Sequence, residues 1–151
     1  MNNEFVRLTT LNPSYRLILL HGWGANAQDL IPLGKNLQES CSRRLEIVSL
    51  NAPHQQDQGL GREWYRLFPP DWMQLPSAVS SLEDRVKAIA TEKIPLNKTV
   101  ILGFSQGGAM ALASGCKLPL AGLICCSAYP HPGWNVPLKM PPLFLSHGQY
   151  D

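Results

Sequence analysis

Short apolar runs alternate with helical patterns along this chain, and the alternation predicts the class of fold. The runs at 16–20, 46–50, 99–104, 123–126 and 143–145 are apolar almost throughout, with little alternation of polar positions. Strands that are covered on both faces have this character. Helices between consecutive strands imply right-handed crossovers and a parallel sheet. We therefore expect an α/β fold, with a mostly parallel sheet and helices on both faces.

Three helical patterns lie between the runs. Asp29 is predicted to cap a helix that has Pro32 in its first turn, where proline is tolerated. The face of this helix toward the sheet would carry Leu30, Leu33 and Leu37. Ser77 is predicted to cap a second helix, whose apolar face would carry Val79, Leu82, Val86 and Ile89. Residues 106–116 are rich in alanine and glycine, so the backbone of a third helix can lie close to the sheet.

The loops that follow the apolar runs are expected at one edge of the sheet, where parallel α/β sheets bind their ligands. They hold all four tryptophans, at positions 23, 64, 72 and 134. The loop 55–76 is long and carries Trp64, Tyr65, Phe68, Trp72 and Met73. Two interpretations remain open: the side chains wall a substrate pocket, or they only pack the loop onto the domain.

Composition excludes several classes of function. The chain has 151 residues, 44% of them apolar, and its 13 basic and 11 acidic side chains give a net charge of +2 without any block of like charge. We expect no nucleic-acid partner, no integral membrane association and no signal peptide. The four cysteines lack metal-site or disulfide-framework spacing, which favours buried, reduced thiols in a cytoplasmic protein. Oligomeric state is not readable.

The candidate chemistry centres on Gly103-Phe104-Ser105-Gln106-Gly107, between the run 99–104 and the small-residue helix. A sharp strand-to-helix turn would present the serine at its apex, and glycines two positions before and after it avoid a clash. The helix start would aim the Gln106 N–H at the oxyanion formed on attack. This context favours a nucleophile over a serine that merely caps the helix.

A second oxyanion donor is expected from the loop after a neighbouring strand. His21-Gly22-Trp23-Gly24 is such a loop, and its glycines let the backbone approach a substrate carbonyl. The N–H of Trp23 is the candidate donor. The alternative is a simple glycine turn.

These residues resemble a known family. LILLHGWGAN, GREWY, GFSQGGAMAL and LFLSHGQYD are similar to segments of the phospholipase/carboxylesterase family of α/β-hydrolases, which includes acyl-protein thioesterases and small bacterial carboxylesterases. The resemblance covers essentially the whole chain. It implies a serine esterase that needs no metal or cofactor and acts on acyl esters, thioesters or lysophospholipid-like substrates. It also implies Ser105 as nucleophile, Trp23 and Gln106 as oxyanion donors, and Asp151 as the acid.

The sequence departs from the family after the acid. The family's catalytic histidine lies downstream of that position, and this sequence ends at Asp151. We therefore expect residues 1–151 to form a single, incomplete α/β-hydrolase domain that lacks the last strand, the C-terminal helix and the histidine of the triad. His54 and His131 are expected in loops at the same edge as Ser105, and His131 is preferred as a surrogate base because it follows the strand expected beside that of the serine. His21 and His147 are expected to be structural. Without the resemblance, Asp151 would be interpreted as a turn residue.

Two functions follow. In the first, the chain is a serine hydrolase that cleaves carboxylic ester or thioester bonds through an acyl-enzyme. Trp64, Tyr65, Trp72 and Met73 then bind a hydrophobic acyl chain of a small substrate. In the second, the chain is a catalytically inactive remnant or binding module that keeps the cleft without the chemistry.

Overall fold

The computed structural model describes residues 4–57, 59 and 61–151. Its strands are β1 (Phe5–Leu8), β2 (Tyr15–Leu20), β3 (Leu45–Leu50), β4 (His54–Gln55), β5 (Arg62–Glu63), β6 (Thr99–Phe104), β7 (Gly122–Cys126) and β8 (Leu143–Ser146). The main sheet has the order β1-β3-β2-β6-β7-β8, and β4 pairs with β5 separately. Only β1 is antiparallel to its neighbour within this sheet. The predicted mostly parallel sheet is confirmed.

Helices cover both faces of the sheet, as predicted. They are α1 (Ile31–Ser40), α2 (Leu75–Ile89) and α3 (Gln106–Gly115), with 3₁₀ turns at Ala27–Leu30, Trp72–Gln74 and Leu96–Lys98. Alternate residues of β2 face opposite sides because strand side chains alternate. Ile18 and Leu20 join the core cluster under α2 and α3, whereas Leu17 and Leu19 join the cluster under α1.

Every predicted strand is present within about a residue of its expected bounds, and β1 and the short strands β4 and β5 are additional. β1 escaped prediction because its residues alternate between exposed and half-buried positions. It lies at the open antiparallel edge, so its sequence carries no continuous apolar run. At the other edge β8 pairs only with β7 within the described residues, and Phe144 and Leu145 are each 62% exposed. Both faces of β8 are therefore exposed to solvent, whereas both faces of β2 are buried.

The predicted start of the first helix is wrong. Asn26 is the residue whose side chain caps the 3₁₀ turn, accepting from the Gln28 N–H at 2.8 Å. Asp29 completes this capping box by accepting from the Asn26 N–H at 2.9 Å. Helix α1 follows with proline in its first turn, as expected, but Leu33 faces solvent. Gly34 faces the sheet instead, where a Cβ would lie 2.9 Å from the Ile47 side chain.

The second helix begins two residues before the predicted cap. Ser77 lies inside its first turn, and its hydroxyl donates to the Gln74 carbonyl at 2.9 Å. The predicted apolar face is confirmed: Val79, Leu82 and Val86 are buried, and Ile89 packs against them. The periodicity thus identified the face correctly, although local residues misled the choice of cap.

Two further findings concern chemistry and environment. All four cysteines are free; Cys116 and Cys125 are buried as predicted, Cys126 is half-buried, and Cys41 is exposed, contrary to the prediction. No helix of the described residues combines the length and apolar character needed to span a bilayer.

Candidate active site

The turn between β6 and α3 holds Ser105 in a strained backbone conformation, with φ 52° and ψ −118°. Its N–H donates to the Cys126 carbonyl on β7 at 2.9 Å, and its carbonyl accepts from the Ala109 N–H at 3.0 Å. The serine side chain makes no capping hydrogen bond. The alternative role as a helix cap is therefore not seen, and the hydroxyl remains available at the carboxyl edge of the sheet.

Glycines allow the backbone to pack tightly around this turn. A Cβ at Gly103 would overlap the Gly107 carbonyl group. A Cβ at Gly107 would overlap the carbonyl oxygens of Leu20 and His21. Helix α3 thus starts in main-chain contact with the end of β2, which brings the loop after β2 next to the serine.

The loop 21–24 lies against the serine. A Cβ at Gly22 would lie 3.4 Å from the Cβ of Ser105. The main-chain N–H groups of Trp23 and Gln106 donate to no acceptor within residues 4–57, 59 and 61–151. The Trp23 side chain is 43% exposed. Its Nε1–H donates to Glu63 at 2.8 Å, and its ring meets Phe68 edge-on at 5.0 Å between centroids.

Arg62, which the sequence did not single out as functional, holds this loop in place. Its main chain pairs with the loop, as Gly24 N–H donates to the Arg62 carbonyl at 3.0 Å and Arg62 N–H donates to Ala25 at 2.9 Å. Its guanidinium donates to the carbonyls of Ala52 and Pro53. The only sequence signal was an arginine in the quoted GREWY segment.

His21 is structural, as expected. Its Nε2 accepts from the Ala52 N–H at 3.0 Å, which leaves the proton on Nδ1 to be donated to the Gly22 carbonyl at 2.8 Å. The ring is fully buried, and desolvation lowers the pKa of His21 below its usual value. Both ring nitrogens are occupied, so His21 cannot accept the serine proton.

His131 is also occupied elsewhere. Its Nε2 lies 3.1 Å from the Tyr65 hydroxyl, which in turn lies 2.7 Å from the Tyr129 hydroxyl. The side chain is buried, and desolvation lowers the pKa of His131 to about 4. No histidine is hydrogen-bonded to Ser105 in the part of the chain that the structure describes. The hypothesis that His131 is a surrogate base therefore lacks structural support.

Asp151 follows β8 at the same edge of the sheet as Ser105. Its Oδ2 lies 3.7 Å from His147 Nδ1, and the two side chains are 47% and 51% exposed. His147 Nε2 lies 3.0 Å from the Ala128 carbonyl, so this histidine bridges the ends of β8 and β7. Asp151 N–H also donates to the Gly148 carbonyl at 3.3 Å, which closes a turn.

The aromatic loop divides into buried and exposed parts. Trp64 and Tyr65 are 1% and 0% exposed, so their side chains pack the loop onto the domain. Trp72 and Met73 are 39% and 89% exposed, and Trp72 contacts the Tyr65 ring at 5.9 Å between centroids. The packing interpretation thus applies to Trp64 and Tyr65, whereas the pocket-wall interpretation stays a prediction for the exposed Trp72 and Met73.

The buried pair is tied to the nucleophile turn by a side chain whose role sequence reasoning missed. Gln106 Oε1 accepts from the Trp64 N–H at 3.1 Å, and Gln106 Nε2 donates to the Tyr65 carbonyl at 2.8 Å. Trp64 Nε1–H also donates to the His21 carbonyl at 2.8 Å. The available signal was a long polar residue at the start of a helix whose other positions are mostly small or apolar.

Comparisons with known proteins bear on the family and the fold of this chain. The profile of the family described as Phospholipase/Carboxylesterase matches residues 1–151. Acyl-protein thioesterase 1 of Neurospora crassa is 28% identical over 87% of this chain and 61% of its own length. Acyl-protein thioesterase 1 of Yarrowia lipolytica is 27% identical over 89% of this chain and 68% of its own. The chain thus spans about three fifths of the Neurospora relative.

Solved structures have the same fold. The crystal structure of esterase PE8 superposes with a TM-score of 0.84 at 28% identity, over 95% of this chain and 73% of that one. The carboxylesterase of Bacillus cereus superposes with a TM-score of 0.80 at 23% identity, over 97% of this chain and 71% of that one. At the latter identity, the likeness bears on the fold alone.

Proposed function

The chain belongs to the phospholipase/carboxylesterase family, and we propose that it acts as a serine hydrolase on carboxylic ester or thioester bonds of acyl substrates. The observation that carries the proposal is Ser105, held at a positive φ between a strand and a helix with its hydroxyl uncommitted. A serine that only capped the helix would bond to its N-terminal N–H groups. Similarity to acyl-protein thioesterases supports the thioester as a substrate bond.

The proposed reaction proceeds through an acyl-enzyme. Ser105 Oγ attacks the acyl carbonyl carbon, the new C–O bond forms, and the carbonyl electron pair moves onto the oxygen. Collapse of this tetrahedral intermediate breaks the bond to the alcohol or thiol, which leaves with a proton. Water then attacks the acyl-serine, releases the carboxylic acid and restores the serine hydroxyl.

Two main-chain donors would stabilise the oxyanion. Trp23 and Gln106 each carry an N–H without an acceptor in the described residues, and the Cβ position of Gly22 is in contact with Ser105. Donors that are fixed before the reaction need no reorganisation when the charge develops. Loss of one such donor typically lowers kcat by about 10²–10³-fold.

The proposed mechanism also needs a base beside Ser105. His21 and His131 are engaged with other groups, His147 bridges two strand ends, and His54 lies on β4 without a hydrogen bond to Ser105 within the described residues. We therefore assign the serine proton to a histidine from outside the described residues, oriented by Asp151. The share of the Neurospora relative that this chain does not span leaves room for such a residue.

The exposed side chains of the aromatic loop suggest a substrate with an apolar acyl group. Trp72 and Met73 would contact the acyl chain, and the buried side chains of Trp64 and Tyr65 would support this wall from beneath. Trp23, in the loop that lies against Ser105, forms a second aromatic contact with Phe68. Apolar walls favour longer acyl chains by burial of methylene groups, at about 0.8 kcal/mol for each one.

A fluorophosphonate probe tests the nucleophile, and free imidazole supplies the missing base. We expect Ser105 to be labelled faster with imidazole present and Ser105→Ala to remain unlabelled. Ser127→Ala is the matched control, because Ser127 also has a positive φ, 49°, and follows a strand. Ser127→Ala should be labelled like the wild type.

Two outcomes would count against the proposal. A chain that is folded by circular dichroism but never labelled would favour the binding module that lacks the chemistry. Labelling that persists in Ser105→Ala would place the reactive group elsewhere. With labelling established, equal rates for acetyl and octanoyl esters would contradict the apolar acyl site.

A further inference from the structure

Gln106 is a fully buried polar side chain in a helix whose ten residues are all buried. Burial of a carboxamide is costly unless its donor and acceptor atoms are both paired. Here its Oε1 accepts from Trp64 N–H at 3.1 Å and its Nε2 donates to the Tyr65 carbonyl at 2.8 Å. Both partners are main-chain groups, and they lie 41 and 42 residues away in the sequence. The pairing thus fixes the backbone of the aromatic loop directly against the nucleophile turn.

The dipeptide that Gln106 holds is joined to two further loops of the site. Trp64 Nε1–H donates to the His21 carbonyl at 2.8 Å, at the start of the loop 21–24 that carries Trp23. The Tyr65 hydroxyl contacts His131 and Tyr129 in the loop after β7. The Tyr65 ring also supports Trp72, which is exposed. Displacement of this dipeptide would therefore move the exposed wall relative to Ser105.

We propose that Gln106 is a positioning residue whose side chain sets the acyl-chain preference, separately from the oxyanion role of its main-chain N–H. The carboxamide fixes the distance between the wall that carries Trp72 and the nucleophile, and so fixes the space open to an acyl chain. This inference rests on the proposed serine hydrolase function. It assigns the side chain a role that neither a helix start nor an oxyanion donor requires.

Few side chains could replace the carboxamide. Methionine has nearly the same length but pairs with neither Trp64 nor Tyr65. Asparagine is one methylene shorter. Ionised glutamate can accept from Trp64 but cannot donate to the Tyr65 carbonyl, whereas protonated glutamate can do both. Gln106→Met therefore removes both hydrogen bonds, whereas Gln106→Glu removes only the bond to the Tyr65 carbonyl, and only when the carboxyl group is ionised.

Hydrogen exchange of the Trp64 amide measures directly whether the Gln106 side chain anchors the aromatic loop. We expect about tenfold faster exchange in Gln106→Met, because one net hydrogen bond of the loop is lost. In Gln106→Glu the carboxyl group accepts from the Trp64 N–H in either protonation state, so Trp64 exchange should stay near the wild-type rate. The matched control is Gln38→Met, because Gln38 also donates from a helix to a strand carbonyl, that of Leu45 at 2.6 Å. Trp64 exchange should not change in this control.

The acyl-chain preference is measured by comparing the labelling rates of long-chain and short-chain alkyl fluorophosphonates, each with imidazole present. We expect the ratio of long-chain to short-chain labelling rates to fall about tenfold in Gln106→Met, and to recover at acidic pH in Gln106→Glu. Circular dichroism confirms that each variant is folded. Gln38→Met should keep the wild-type ratio.

Each contrary result has a distinct meaning. Unchanged Trp64 exchange in a folded Gln106→Met would overturn the anchoring. Faster exchange with an unchanged labelling ratio would reduce Gln106 to a structural residue and overturn the specificity role. A wild-type chain that no probe labels would overturn the proposed function together with the specificity role, while the exchange measurement would still decide the anchoring.

Discussion

Replacement of Ser105 by glycine should stabilise the fold, because the serine backbone is strained. Its φ of 52° with ψ of −118° is a combination that residues with a Cβ rarely adopt. Glycine reaches such angles without steric cost. The surrounding bonds, from Ser105 N–H to Cys126 and from Ala109 N–H to Ser105, involve main-chain atoms only and remain possible in the variant.

The size of the effect follows from two opposing terms. A residue in a sparsely populated region of φ/ψ costs about 1–3 kcal/mol. Glycine relieves this strain but offsets about 0.4–1 kcal/mol of the stabilisation, because it increases the entropy of the unfolded chain. A net gain of about 1 kcal/mol remains, which corresponds to a rise in Tm of about 2–4 °C for a chain of this length.

Ser105→Ala is the control that isolates the strain, because it keeps the Cβ and removes only the hydroxyl. The serine side chain makes no capping bond, so this variant should stay within about 0.5 kcal/mol of the wild type. Urea and thermal unfolding followed by circular dichroism would give the free energy of unfolding of all three proteins. A Ser105→Gly variant less stable than Ser105→Ala would refute the strain argument.

Two other perturbations test packing and titration. Gly107→Ala should lower the free energy of unfolding by about 2 kcal/mol or more, because its methyl group meets carbonyl oxygens that cannot move aside. Gly133→Ala meets no atom within 4 Å, so it should lose only about 1 kcal/mol through its positive φ, and equal losses would contradict the packing account. The folded-state pKa of His131 is lowered to about 4 from 6.5. The contribution of the neutral, buried imidazole to the free energy of unfolding is therefore complete above pH 6.5 and is lost as pH falls toward 4. That contribution is about 3 kcal/mol. When urea unfolding is measured at several pH values, the free energy of unfolding of His131→Gln should depend less steeply on pH in this window than that of the wild type. An unchanged pH dependence would exclude His131 as its source.

The strands and the position of the nucleophile turn could be predicted because both depend on neighbouring residues. The run 99–104 is apolar on both faces, and it became β6 with the predicted bounds. Gly103 and Gly107 lie at the spacing that a sharp strand-to-helix turn requires, and the turn is present. The helix periodicity around Leu82 likewise identified the buried face of α2.

Helix starts and the edge strand were less predictable, because several local solutions compete. Asp29 and Ser77 are both good capping residues, yet Asn26 caps the first turn and Ser77 lies inside α2. Differences of about 1 kcal/mol between such caps are smaller than the packing free energy of a whole apolar face. The fit of the helix against the sheet therefore selects the starting residue.

The sequence by itself determined the order of strands and helices, the chemistry offered at the nucleophile turn and the grouping of aromatic residues in one loop. Only the tertiary structure decided which aromatic residue is buried and what each histidine binds. Trp64 and Trp72 lie in the same loop, but Trp64 alone meets Gln106 and His21, more than 40 residues away. His131 is directed to Tyr65, 66 residues earlier. Backbone preferences and periodicity are local, whereas such hydrogen bonds exist only after the sheet has brought distant loops to one edge.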